Sequence, residues 1–247
     1  MTKYPREEFM QACDKGEFFS EPSKYRRLIG RLVYLTVTKP DLSYAVHTLA
    51  QFLQAPRLHH WHAALRVVRY LKNAPGQEVF LSAKNDLTLT AYCDSDWAAC
   101  PLTRRSLTGY VVLLDNSLVS WKTKKQQVVS RSSAEAEDRS MAMTLCEVKW
   151  IMELMRSLGI RQHSPTLLYC DNQAALHIAA NPIFHERTKH IEVDCHFIRD
   201  AIFAGLIVTR YVKTTEQLAD ILTKPLGRHQ YHYLLGKMGV RNLYAPS

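Results

Sequence analysis

Leu87-Thr-Leu-Thr-Ala-Tyr-Cys-Asp94 is the stretch on which the reading of this chain turns. Apolar and polar residues alternate along it, and threonine and tyrosine favour extended backbone. The spacing therefore predicts a strand that ends on a carboxylate. Two more strands follow, Gly109 to Leu114 and Ser117 to Trp121, joined across the turn-forming pair Asp115-Asn116, with Gln126 to Val129 prolonging the second arm. The period then changes from two to 3.6. Ser132-Ser-Ala-Glu135 has the spacing of a capping box and opens a long helix that runs to about Leu158 and stops at Gly159. Strands at Leu167 to Asp171 and Leu206 to Val212 alternate with helices at Gln173 to Ala180, Thr188 to Ala204 and Thr215 to Thr223, the last broken by Pro225. Hairpin-linked strands followed by helix, strand, helix, strand and helix predict an α/β fold, a mixed sheet with helices on its faces.

Upstream lie three helical segments. Pro22 to Val37 carries Leu28, Leu32 and Leu35 at helical spacing, Pro40 to Leu53 carries Leu42, Val46 and Leu49, and Leu58 to Asn73 carries Trp61, Leu65, Val68 and Leu71. Ala74-Pro-Gly76 ends the third and marks a boundary, which divides the chain into a helical segment (1–76), an α/β domain (77–226) and a helical tail (227–247) built on a helix from Gly227 to Met238.

The 247 residues carry a formal charge of +9, the sign that favours a polyanionic partner such as nucleic acid. The six cysteines are scattered and form no C-x-x-C, so reduced thiols in an intracellular compartment are expected, and neither a disulfide framework nor a zinc site. The longest uncharged apolar run, Ala201 to Val208, falls well short of the roughly 20 residues that span a bilayer, so no membrane partner is expected.

The acids form a pattern. Asp94 and Asp171 end separate strands, where chemistry collects in such sheets. Glu137 lies one turn inside the long helix, in register with Met141, Thr144 and Val148, and so faces the sheet. Asp220 interrupts the apolar run Leu218-Ala-Asp-Ile-Leu222. Four carboxylates from four elements suit a pair of hard divalent cations, which clamp the two oxygens of a phosphoryl displacement. Each acid also has a plainer reading. Asp94 reads equally as a strand-end turn residue with Asp96 as its rival, Asp171-Asn172 as a cap for the next helix, and Asp220 as an exposed helix residue. Glu135 reads as a cap and stays out of the site.

At these residues the chain resembles a known family. Tyr92-Cys-Asp-Ser-Asp-Trp-Ala98, Arg104-Arg-Ser-Leu-Thr-Gly-Tyr110, Ser120-Trp-Lys-Thr-Lys-Lys-Gln126, Ser132-Ser-Ala-Glu-Ala-Glu137, Tyr169-Cys-Asp-Asn172, Arg187-Thr-Lys-His-Ile191 and Ala219-Asp-Ile-Leu-Thr-Lys-Pro225 occur in the order seen in the ribonuclease H domain of copia-type LTR retrotransposon Pol polyproteins. Tyr25-Arg-Arg-Leu-Ile-Gly30, Thr38-Lys-Pro-Asp41 and Arg69-Tyr-Leu-Lys72 are similar to the reverse-transcriptase thumb and connection of those elements. The resemblance implies a ribonuclease H-like five-stranded mixed sheet flanked by helices. It also implies a catalytic, metal-binding set of Asp94, Glu137, Asp171 and Asp220, two Mg²⁺ ions with Mn²⁺ as a substitute, and cleavage of the RNA strand of RNA–DNA hybrids. The implied setting is a cytoplasmic virus-like particle or the nucleus, with the rest of the polyprotein as a partner. No Tyr-x-Asp-Asp motif is present, so no polymerase activity is expected.

Basic residues suit such a substrate. Arg104, Arg105, Lys122, Lys124, Lys125 and Arg131 fall on hairpin ends and loops near the first acid, and Arg187, Lys189 and His190 begin a later helix. All are candidates for phosphate contacts, with solvated surface charge as the alternative for any one of them. Three departures from the family stand out: Asp138 where an aromatic is usual, the loop Ala98-Ala-Cys-Pro-Leu102, and no histidine in Lys213 to Glu216. A helix turns about 100° per residue, so Asp138 is expected to point away from the metals and outward, or toward a basic partner. The alternative reading is a domesticated or decayed copy that binds nucleic acid or a protein without cutting.

Overall fold

The computed structural model describes residues 16–84, 86–162, 164–181 and 192–244. The element order is α1 (Pro22–Leu35), a 3₁₀ turn (Pro40–Leu42), α2 (Ser43–Ala50), α3 (Leu58–Asn73), β1 (Gln77–Val79), β2 (Leu89–Asp96), β3 (Leu107–Leu114), β4 (Ser117–Lys125) and α4 (Ser133–Ser157). It continues with β5 (Thr166–Cys170), α5 (Gln173–Ala180), α6 (Glu192–Phe203), β6 (Ile207–Tyr211), a 3₁₀ turn (Thr214–Glu216), α7 (Asp220–Thr223), α8 (Arg228–Lys237) and β7 (Val240–Asn242). The main sheet has five strands in the order β4-β3-β2-β5-β6. β2, β3 and β4 pair antiparallel, whereas β5 joins β2 and β6 joins β5 in parallel, so the sheet is mixed as expected. Among the described residues, no helix is long and apolar enough to cross a membrane.

Both faces of the sheet are covered, and β3 shows it best. Tyr110 and Val112 pack with Met141, Leu145 and Val148 of α4 on one face. Val111 and Leu113 pack with Leu222, Leu234 and Met238 on the other. A strand buried on both sides reads as a continuous apolar run, which is how Gly109 to Leu114 reads. The carboxy-terminal helix α8 thus belongs to the core of the sheet's second face. Tyr25, Ile29, Leu32, Leu42, Val46, Leu49 and Val67 form a separate core among α1 to α3. That bundle is tied to the sheet by the Trp121 indole N–H, which donates to Thr36 O at 2.9 Å.

Several boundaries depart from the expectation, each for a physical reason. β4 runs through Lys125, and Gln126 to Val129 is not strand. Gln126 turns inward instead, where its buried amide donates to Ser95 Oγ (3.3 Å), Thr108 Oγ1 (3.0 Å) and Ala136 O (3.0 Å). The helix expected over Thr215 to Thr223 is a 3₁₀ turn followed by the short α7. Gln217 separates them, because its amide donates to Cys93 O at 2.9 Å and its Oε1 accepts the Ala219 N–H at 3.2 Å. The segment Pro40 to Leu53 likewise divides into a 3₁₀ turn and α2. The start expected for the later helix, at Thr188, lies outside the described residues. The antiparallel pair β1–β7, with Val79 opposite Val240, has three residues per strand, too few to carry a periodic signal.

Candidate metal centre

Parallel pairing of β2 with β5 brings their carboxyl ends side by side, and with them Asp94 and Asp171. The long helix α4 crosses above, and its first turns lower Glu137 into the same place. Ser132 Oγ accepts the Glu135 N–H at 3.2 Å, while the Glu135 carboxylate accepts the Arg131 N–H at 2.6 Å, one residue earlier than a capping box would have it. Asn172 Oδ1 caps α5 by accepting the Ala175 N–H at 3.1 Å, which leaves Asp171 free of that task. Oxygens of Asp94, Glu137 and Asp171 lie within 4.8 Å of one another, from three separate elements. Asp94 and Glu137 are buried and Asp171 is half-buried.

Asp220, the first residue of α7, enters through a cation. The Lys224 ammonium donates to Asp220 Oδ1 at 2.8 Å and to Asp94 Oδ1 at 2.9 Å. The Thr223 hydroxyl donates to the other Asp94 oxygen, Ser95 N–H donates to Glu137 Oε1 at 3.0 Å, and the Thr214 hydroxyl donates to Asp171 Oδ2 at 2.9 Å. α7 can sit this close only because β3 carries glycine opposite Asp94. A Cβ on Gly109 would stand 2.7 Å from Thr223 Cγ2 and 2.9 Å from Leu222 Cβ. Asp96, two residues beyond Asp94, is half-buried and outside the cluster.

Burial, then the Cys170, Asp94 and Asp171 groups, pushes the Glu137 carboxyl well above the usual range. Burial and the Asp94 charge push Asp220 up to about 7 against the pull of Lys224. Burial opposes the charged form of Lys224, yet Asp94 and Asp220 together hold that ammonium above its ordinary value. Crowded, desolvated carboxylates that favour protons also favour multivalent cations. An all-oxygen set of this kind fits hard divalent ions such as Mg²⁺.

The remaining candidates divide. Arg104 and Arg105 are exposed just before β3, Lys122 and Lys124 are exposed two residues apart on β4, and Arg131 is exposed just before α4. Lys125 is half-buried and turned toward α2, its ammonium 3.1 Å from Gln51 Oε1. Arg187, Lys189 and His190 lie outside the described residues. The outward reading of Asp138 is corrected: it is 0% exposed, and neither carboxylate oxygen has a hydrogen-bond partner among the described residues. It does point away from the acid cluster, but the face it takes is the one that α6 covers. Burial first, then Asp194, raises it to about 8, with Glu135 adding and Arg199 opposing. Sequence reasoning gives no place to Lys224, Thr223, Ser95 or Gln126. For Lys224 a signal exists, since it stands four residues after Asp220, the spacing of a helical ion pair.

No family model matches the chain. It is 46% identical over 225 residues to the retrovirus-related Pol polyprotein from transposon RE2 of Arabidopsis thaliana, a match covering 91% of this chain and 16% of that polyprotein. It is 45% identical over 225 residues to the counterpart from transposon RE1 of the same plant, covering 91% and 15% respectively. The chain thus spans about a sixth of the length of these relatives. Among solved structures, the N-terminal RNase H domain of a Mycobacterium tuberculosis protein, fused to maltose-binding protein, aligns with a TM-score of 0.40 at 11% identity, over 61% of this chain and 98% of that one.

Proposed function

The chain belongs to the copia-type retrovirus-related Pol polyproteins, and from that premise we propose that it is a metal-dependent ribonuclease H that cuts the RNA strand of RNA–DNA hybrids. The observation that carries this reading is the meeting of Asp94, Glu137 and Asp171 oxygens within 4.8 Å, with Asp220 linked to them through Lys224. These four acids would hold two Mg²⁺ ions, or Mn²⁺ in their place, which when bound activate water and neutralise charge on the scissile phosphate. Ser95 N–H fixes one Glu137 oxygen and the Thr214 hydroxyl fixes one of Asp171, so the acids are oriented before substrate arrives. The Lys224 ammonium donates to both Asp94 and Asp220 and pulls against the burial that raises the Asp220 carboxyl. The products are a 5′-phosphate and a 3′-hydroxyl.

Exposed Arg104, Arg105, Lys122, Lys124 and Arg131 would contact the phosphates and set the register of the duplex. Recognition would rest on groove shape and the 2′-hydroxyl rather than on base sequence. The setting proposed is the virus-like particle or nucleus, beside the remainder of the polyprotein. The test is hydrolysis of a labelled hybrid in Mg²⁺. The wild-type chain cleaves, whereas Asp171→Asn loses cleavage and retains hybrid binding. Binding by both proteins with cleavage by neither would favour the alternative, a copy that binds without cutting. Asp138 lends that alternative its support, since a buried carboxylate without a hydrogen bond is a defect. The defect lies between α4 and α6, however, and removes no member of the acid set.

A further inference from the structure

Tyr92 of β2 is paired with Tyr169 of β5, so the next residue on each strand, Cys93 and Cys170, stands beside the other. Both are 0% exposed and Glu137 is 4% exposed. One sulfur from each cysteine and one Glu137 oxygen lie within 4.8 Å of one another. The Cys170 thiol donates to Glu137 Oε2 at 3.6 Å, and its sulfur accepts the Asn172 N–H at 3.4 Å. We infer that Cys93, Cys170 and Glu137 form a second metal site, distinct in chemistry from the all-oxygen cluster, that takes a thiophilic divalent cation such as Zn²⁺.

The donor set decides the class of ion. Two sulfurs and a carboxylate oxygen are three of the four ligands of a tetrahedral zinc site, whereas Mg²⁺ takes oxygen. On binding, each thiol releases its proton to solvent, so one divalent cation replaces two protons. The Asn172 N–H then stabilises the Cys170 thiolate. Both cysteines are also core residues, but so is Cys195, which joins no such cluster among the described residues. What sets the pair apart is a carboxylate within reach of both sulfurs. Glu137 belongs to both clusters. An ion held by the sulfurs therefore withdraws a Glu137 oxygen from the hard-ion site, and the thiolate site acts as an inhibitory one.

The test uses the full chain, freed of metal by chelation, with Co²⁺ alone as the probe. Thiolate-to-cobalt charge-transfer absorption is expected to saturate at one ion per chain. It should persist when the exposed Cys146 is changed to Ser, and vanish in the Cys93→Ser/Cys170→Ser protein. Zn²⁺ should bleach it at stoichiometric concentration, and Mg²⁺, which shares only Glu137 with the site, should weaken it only in large excess. Absence of the band, or its survival in the double variant, overturns the site. Zinc-edge X-ray absorption on the wild-type protein needs no variant. Two sulfurs at about 2.3 Å are expected, and a shell of nitrogen and oxygen alone overturns the proposal. If the wild-type chain cleaves hybrid, Zn²⁺ should inhibit it, and less so in the double variant. If it does not cleave, the nuclease reading falls while the cobalt and zinc measurements still decide the thiolate site.

Discussion

The Lys224 ammonium lies 2.9 Å from Asp94 and 2.8 Å from Asp220, so two buried carboxylates share one tethered cation. Removing one partner of a buried ionic group costs about 3–5 kcal/mol, because the charges left behind stay desolvated. Lys224→Met is therefore expected to melt several degrees lower than wild type. Millimolar Mg²⁺ should restore more of that loss than it adds to the wild-type protein. An equal response of the two proteins would show that ammonium and metal do not share these carboxylates. Asp138 presents the opposite case, a carboxylate whose removal helps. Neither oxygen finds a hydrogen bond among the described residues, and its charged surroundings are Asp194 and Glu135 against Arg199. Asp138→Leu is expected to raise stability by about 1–3 kcal/mol in urea denaturation, the cost of an unsatisfied buried polar group. The metal requirement of cleavage should not change. Lower stability in the variant would mean that attraction to Arg199 outweighs the desolvation of Asp138.

Among the elements, α3 shows how a helix end can carry a pH dependence. Its preceding residue, Arg57, donates its backbone N–H to Nδ1 of His60 at 3.1 Å, and the imidazole stacks on Phe52 with ring centroids 3.8 Å apart. Nδ1 can accept only while the ring is neutral. Burial first, then His59 and Arg57, lowers His60 to about 4. His47, in the neighbouring helix, is lowered to about 4 by burial and by Lys125. A folded-state value below the unfolded one means that the unfolded chain binds the proton first. The stability is thus fully present above about pH 6.5 and falls away as pH drops through about 4. Buried Glu137, Asp138 and Asp220, all raised, act in the opposite direction over the same pH range, so the His60 contribution is read as a difference between two proteins. In thermal melts between pH 7 and 4, His60→Asn, whose side-chain oxygen can still accept the Arg57 N–H, should shift the slope toward greater stability in acid. An identical slope in the variant would remove His60 as the cause.

On the scale of the whole molecule, the register of β3 against β4 gathers part of the basic charge at one end of the sheet. Leu107 lies opposite Lys125 and Thr108 opposite Lys124, so Arg104 and Arg105, just before β3, come to the sheet end that carries Lys124. Salt sensitivity of hybrid binding measures what this patch does. Each phosphate left without its cation should reduce the slope of log K against log salt by roughly 0.9, so Lys122→Ala/Lys124→Ala should flatten it nearly equally for hybrids of any sequence. Lys125→Ala should change it less, since that ammonium is held by Gln51. An unchanged slope in the double variant would assign Lys122 and Lys124 to solvated surface. The amino-terminal helices also touch α8, where the Tyr70 hydroxyl donates to Asp41 Oδ2 at 2.8 Å and the Tyr231 hydroxyl donates to Asp41 O at 3.2 Å.

What the sequence by itself determined is what neighbouring residues settle between them. Alternation placed β2, helical spacing turned Glu137 toward the sheet, and Ser132 and Asn172 announced the helix starts they cap. Periodic runs placed Asp94 near the end of β2, which continues two residues to Asp96, and Asp171 just past β5, since the end of a periodic run is a local event. Only the tertiary structure decided what depends on partners far away along the chain. Lys224 meets Asp94 across 130 positions, Gln217 reaches the carbonyl of Cys93 across 124, and Gln126 leaves an extended strand because three acceptors wait inside. Periodicity points Asp138 outward because it orients a residue relative to its own helix and says nothing of a second helix covering the same face. Cys93 and Cys170 are 77 residues apart and become neighbours only through the parallel pairing of β2 and β5, a register that no local pattern encodes.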